Sequence, residues 1–137
     1  MKILLYSNRT VEAVKEEFST AYPYLKISFY TRTQVAEGAF TAEVDPSTEL
    51  IEISGVLREG DIEINPTDTI KEVEQKFEKQ YGLPVQIFRK QNGSWLNTAI
   101  TDDLTLQEQN LWGREASKPL KTKVNGQFNW NNFSLGK

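Results

Sequence analysis

The feature that most constrains this chain is a repeat within it. Thr10-Val11-x-x-Val14-x-x-x-Phe18-x-x-x-Tyr22 recurs as Thr69-Ile70-x-x-Val73-x-x-x-Phe77-x-x-x-Tyr81. Apolar steps of 3, 4 and 4 put these residues on one face of an amphipathic helix. Each helix begins at a threonine. Thr69 with Glu72 makes a capping-box pattern. Pro23 stops the first helix, and Gly82 with Pro84 stops the second.

Strand patterns flank both helices. Lys2 to Tyr6 precedes the first, and Leu25-Lys26-Ile27-Ser28-Phe29-Tyr30 follows it with alternating apolar residues. Asp61 to Ile64 precedes the second, and Val85 to Lys90 follows it. The chain therefore reads β-α-β twice. Helices of about 13 residues do not persist alone in water. Each must bury its Val/Phe/Tyr stripe, and Phe18 and Phe77 are the expected centre of the core.

Thr33 to Asp45 reads as an excursion. Asp45-Pro46-Ser47-Thr48-Glu49 suits the start of a short helix, since proline fits a first turn. Alternatively, Leu50-Ile51-Glu52-Ile53 is a strand that turns at Gly55. Asn92-Gly93 is a two-residue hairpin signal joining the strand that ends at Lys90 to Ser94–Thr98. Thr101-Asp102-Asp103 then suits the cap of a helix through Leu104, Leu106 and Gln109, closed by Gly113.

The expected class is α+β, a two-layer sandwich. Duplicated β-α-β favours a ferredoxin-like plait with two helices over one antiparallel sheet. The alternative is a ubiquitin-like β-grasp with an N-terminal extension, in which Leu50–Ile53 pairs as a hairpin with Asp61–Ile64. The expected organisation is one domain over residues 1–113 and a basic, aromatic tail over 114–137.

Absent residue types exclude much chemistry. The 137 residues include no cysteine and no histidine. Disulfides, thiolate nucleophiles and sulfur-ligated metals are excluded, with imidazole acid–base catalysis and imidazole ligation. No Gly-rich phosphate-loop motif occurs. No cofactor, metal or catalytic residue is expected. No apolar run reaches about 18 residues, so no membrane span is expected. The four-residue apolar stretch Ile3–Tyr6 is too short for a signal peptide, and the expected location is the cytoplasm.

Charge is uneven. Arg114, Lys118, Lys121, Lys123 and Lys137 stand against Glu115, so residues 114–137 carry +4 of a net −3, leaving −7 on residues 1–113. Such a body repels phosphate backbones.

Two resemblances follow from these motifs. Asn65-Pro66-Thr67-Asp68-Thr69-Ile70, Gly82-Leu83-Pro84, Gln86-Ile87-Phe88 and Asp103-Leu104-Thr105-Leu106 before Asn110 resemble the ubiquitin-type β-grasp pattern over residues 48–112. The chain ends in Ser134-Leu135-Gly136-Lys137 without Gly-Gly, so the resemblance implies no conjugation role. Pro23–Phe29, Gly82–Lys90, Trp95–Thr98 and Thr101–Asn110 resemble short bacterial proteins of unknown function. That resemblance implies no activity.

Candidate sites have structural readings beside functional ones. Asp102-Asp103 reads as a helix cap rather than a Mg²⁺ site. Asp61 and Glu63 share a strand face that reads as solvated rather than as a glycosidase pair. Arg89-Lys90 and Arg32 suggest a small basic corner or ordinary strand ends. An RNA-binding plait needs aromatics on central strands, and Asp61–Ile64 offers acids instead. The tail holds Phe128, Trp130 and Phe133 beside Lys121 and Lys123. These five residues are the candidate partner contacts. The expected function is a non-catalytic interaction domain whose partner is another protein. The alternative is a nucleic-acid-binding module acting through the tail.

Overall fold

A computed structural model describes residues 1–31, 43–55 and 57–118. In chain order they form β1 (Lys2–Leu5), α1 (Val11–Ala21), β2 (Leu25–Phe29), α2 (Leu50–Ser54), β3 (Gly60–Glu63), α3 (Ile70–Gln75), β4 (Val85–Gln91), β5 (Ser94–Asn97) and α4 (Leu106–Ala116). A π-helical turn, Lys76–Gln80, extends α3, and a 3-10 turn, Ala99–Thr101, precedes α4. The fold is α+β, with two small antiparallel sheets, β1–β3 and β2–β4–β5.

Helix starts follow from side-chain caps. Thr10 Oγ1 accepts from the Ala13 amide. Thr69 and Glu72 exchange bonds in a capping box, as do Thr105 and Glu108. These groups satisfy amide donors that a helix start leaves unpaired. Val11, Val14 and Phe18 of α1, and Ile70, Val73 and Phe77 of the second helix, are all buried. Apart from Ala116, the buried apolar residues of helices and strands join one core cluster.

The two copies meet as a symmetric pair would. Ile3 lies opposite Ile62 in the β1–β3 ladder, and Ile27 lies opposite Ile87 in the β2–β4 ladder. Each isoleucine faces its own counterpart in the repeat. An antiparallel ladder in which a residue faces its counterpart is the local signature of a twofold relationship.

The repeat also reaches further than β-α-β. The start of α1 is bridged to the start of α2 at Thr10 and Glu49, and that of α3 to α4 at Thr69 and Thr105. In the first copy, Val11 donates to Thr48 O, Glu12 to Pro46 O, Leu50 to Arg9 O and Ile51 to Ser7 O. In the second, Ile70 donates to Leu104 O, Lys71 to Asp102 O, Leu106 to Asp68 O and Gln107 to Pro66 O. The bonds correspond one to one. The repeated unit is therefore β-α-β-α, and among the described residues β5 stands between the strand and the last helix of the second copy.

Several details correct the sequence reading. A plait would place β1, β2, β3 and β4 in one sheet, whereas β1 pairs with β3 and β2 with β4 in separate sheets. Leu50–Ser54 is a helix that ends at Gly55, whose φ is +77°. It is not the hairpin partner of Asp61–Ile64, because β1 occupies that place. Asp102 and Asp103 do not cap α4, since Thr105 does. Gly113 does not close that helix but lies within it. The reason is close packing: a Cβ there would lie 2.7 Å from Tyr24 Cβ and 3.2 Å from Arg89 Cγ.

Candidate functional site

The β4–β5 hairpin brings together the most distinctive surface among the described residues. Its turn, Asn92-Gly93, has both residues at positive φ, +50° and +82°. That geometry suits a two-residue hairpin turn and fixes the register. Lys90 faces Trp95 and Phe88 faces Asn97, while Lys26 of β2 faces Phe88 from the other side. Alternation then puts Lys26, Gln86, Phe88, Lys90, Trp95 and Asn97 on the outer face of the sheet. Leu25, Ile27, Val85, Ile87 and Arg89 point to the buried face.

On the outer face two lysine ammonium groups lie over the rings of Phe88 and Trp95. Lys26 Nζ lies 5.3 Å from the Phe88 ring centre and 5.2 Å from that of Trp95. Lys90 Nζ lies 5.4 Å from Trp95. Such contacts hold long lysines over flat rings and contribute about 0.5–1 kcal/mol each at exposed sites. Lys26 is also paired with Glu43, at 3.5 Å. Asn97 Nδ2 donates to Gln86 Oε1 at 2.8 Å, which ties β5 to β4.

β5 is an edge strand. Among the described residues it pairs with β4 alone, and all four of its residues are exposed. Large apolar side chains collect around it. Trp95 and Leu96 are exposed, and Ile100 just beyond the strand is 96% exposed. An open edge with exposed apolar side chains is the kind of surface to which another strand adds.

The end of the hairpin is held by polar groups. Thr98 takes the Ile87 carbonyl through both its amide and its hydroxyl, the latter at 2.6 Å. Glu74 of α3 accepts from the Ile87 amide at 3.0 Å. Burial pushes the Glu74 carboxyl up to about 7, against the backbone hydrogen bond and with help from the charge of Asp102. On the buried face, Arg89 donates to Gln109 Oε1 at 2.8 Å, and its guanidinium lies 5.2 Å from the Trp112 ring centre.

The sequence candidates fall as follows. Lys121, Lys123, Phe128, Trp130 and Phe133 lie outside the described residues, as does Arg32. Arg89 and Lys90 do not form one basic corner, because adjacent strand residues point to opposite faces and Arg89 is buried. Asp61 and Glu63 are exposed on β3, where Glu63 pairs with the N-terminal ammonium at 3.1 Å. The Asp102 carbonyl accepts from the Lys71 amide, so this residue serves the start of α3.

The surface of Phe88, Trp95, Leu96 and Ile100 was not singled out from sequence. A signal for part of it was present. The Asn92-Gly93 turn implies Lys90 opposite Trp95, and alternation then aligns Phe88 with them. Among the described residues, no three Asp or Glu side chains are placed to hold a metal, and no helix is long and apolar enough to cross a membrane. Compared with protein-family models, curated proteins and solved structures, the chain matches none of them.

Proposed function

We propose that this chain is a non-catalytic protein-interaction domain of the cytoplasm, and that β5 and its surroundings form its docking surface. The observation that carries this reading is the edge of β5, open among the described residues, with Trp95, Leu96 and Ile100 exposed around it. Natural edge strands are usually protected by charge, proline or a covering segment. Here a tryptophan and a leucine stand in the strand itself. The partner is an extended protein segment that adds to β5 through main-chain hydrogen bonds. Lys90 beside the edge favours acidic residues in that segment.

Peptide selection tests the proposal. The immobilised full chain is offered a displayed library of random twelve-residue peptides. Enriched peptides should be extended and acidic, and should bind Leu96→Asp and Ile100→Asp about tenfold or more weakly. No enrichment, or enrichment indifferent to both substitutions, would remove the reading. A twelve-residue oligouridylate serves as the opposing probe, and binding to it alone would make the surface a nucleic-acid platform instead.

A further inference from the structure

The two copies of the repeat differ in kind at two buried positions. Phe29 in β2 and Arg89 in β4 each follow the self-facing isoleucine by two residues, on the buried face. Ile53 in α2 and Gln109 in α4 each follow the helix cap by four. All four are buried. Where the first copy closes with a phenylalanine and an isoleucine, the second holds a guanidinium and an amide. The first copy shows that this unit folds with apolar residues there.

A charge at such a position carries a cost. Burying a cation without a counter-charge is unfavourable, and apolar replacements of buried ionic groups are often neutral or stabilising. Arg89 has no carboxylate partner among the described residues; burial alone pulls its guanidinium below the ordinary arginine range. One Nη donates to Gln109 Oε1 at 2.8 Å, and the other reaches Gln91 Oε1 only at 3.4 Å. Nε is buried with no hydrogen-bond partner.

The surroundings hold the group in place. Gln109 Nε2 donates to the carbonyl and the hydroxyl of Thr101, both at 2.8 Å, so its carbonyl oxygen is the end left for Arg89. The Trp112 ring lies beside the guanidinium, its centre 5.2 Å from the central carbon. Gly113 leaves room for the Arg89 stem, where a Cβ would crowd it. The arrangement supplies orientation and a ring face, but no negative charge.

We propose that Arg89 is the receptor for a carboxylate, an aspartate or glutamate side chain of the protein segment that adds to β5. The edge of the guanidinium formed by Nε and the second Nη is the edge that a carboxylate takes with two parallel bonds. Gln91, whose contact is long, is the group it displaces. Leu96 lies opposite Arg89 in the ladder and is exposed on the same face, which marks the approach from the β5 edge. This proposal rests on the interaction reading above.

Nuclear magnetic resonance on the full ¹⁵N-labelled chain separates the two. The probes are acetyl-Thr-Val-Glu-Val-Thr-amide and the same peptide with glutamine for glutamate. The glutamate peptide should shift the amides of Ser94–Asn97 and the Nε–Hε signal of Arg89, and should bind about tenfold tighter than the glutamine peptide. Arg89→Phe, which copies Phe29, should melt no lower than the wild type and bind both peptides equally. If both peptides shift β5 equally and the Arg89 signal stays still, the carboxylate site is wrong and the edge reading stands. If neither shifts β5, both are wrong. A much lower melting temperature for Arg89→Phe, with that signal unmoved in the wild type, would make the guanidinium structural.

Discussion

Ile27 of β2 and Ile87 of β4 sit directly opposite one another, and they are the same position in two copies of one unit. Both are fully buried. The pairing places the junction of the copies at the middle of the core. Truncating either to alanine should cost about 2–5 kcal/mol. Because the two share a contact, the double variant should depart from the sum of the singles by about 0.5 kcal/mol or more. Urea denaturation of the three variants measures this, and strict additivity would argue against direct packing.

Phe77 is fully buried and meets Phe29 edge-on, with ring centres 5.9 Å apart and planes at 88°. This contact joins the second helix to β2, a strand of the first copy. Phe77→Ala should cost about 3–5 kcal/mol or unfold the chain outright. A melting temperature equal to that of the wild type would contradict its place in the core.

Glu74 makes stability depend on pH. Its carboxyl rises from 4.5 to about 7 on folding, chiefly through burial. The folded state therefore binds more protons than the unfolded state between those values. Stability from the neutral acid is fully present below about pH 4.5 and is lost as pH rises through about 7, by up to about 3 kcal/mol. Glu74→Gln keeps an acceptor for the Ile87 amide without the charge. It should be more stable than the wild type at pH 8 and nearly equal at pH 4, as denaturant titrations at both values would report. An equal gain at both pH values would show that charge burial is not the cause.

Gly113 packs where no side chain fits. A Cβ would lie 2.7 Å from Tyr24 Cβ and 3.0 Å from the Tyr24 carbonyl oxygen. Alanine is the better helix former, so on an exposed helix the change would stabilise. Here overpacking outweighs that gain, and Gly113→Ala should lose about 1–3 kcal/mol. A higher denaturation midpoint for the variant would show that α4 moves aside easily.

Caps and turns were legible because they are local. Thr10 and Thr69 begin helices as their spacing implies, and Asn92-Gly93 turns the hairpin. The four-residue stretch Leu50–Ile53 was not legible as one state. Alternation and helical spacing coincide over so short a run, and its helix is settled by the bonds from Leu50 and Ile51 to Arg9 O and Ser7 O. Position 89 was misread for a related reason. An arginine beside a lysine at the end of a strand reads as solvated, and only the packing of α4 against β4 makes it buried.

The sequence by itself determined the repeat, the helix starts and the alternating faces of the strands. It also removed thiol and imidazole chemistry. These depend on residue type and on neighbours a few positions away. Only the tertiary structure decided that the copies face each other, through Ile3 with Ile62 and Ile27 with Ile87. Pairing between distant strands is a choice among many registers, and burial of both copies' apolar faces in one core selects it. That choice leaves β5 at an edge and puts Arg89 under α4. The proposed interaction surface is thus a product of how the halves pack, not of any motif in either.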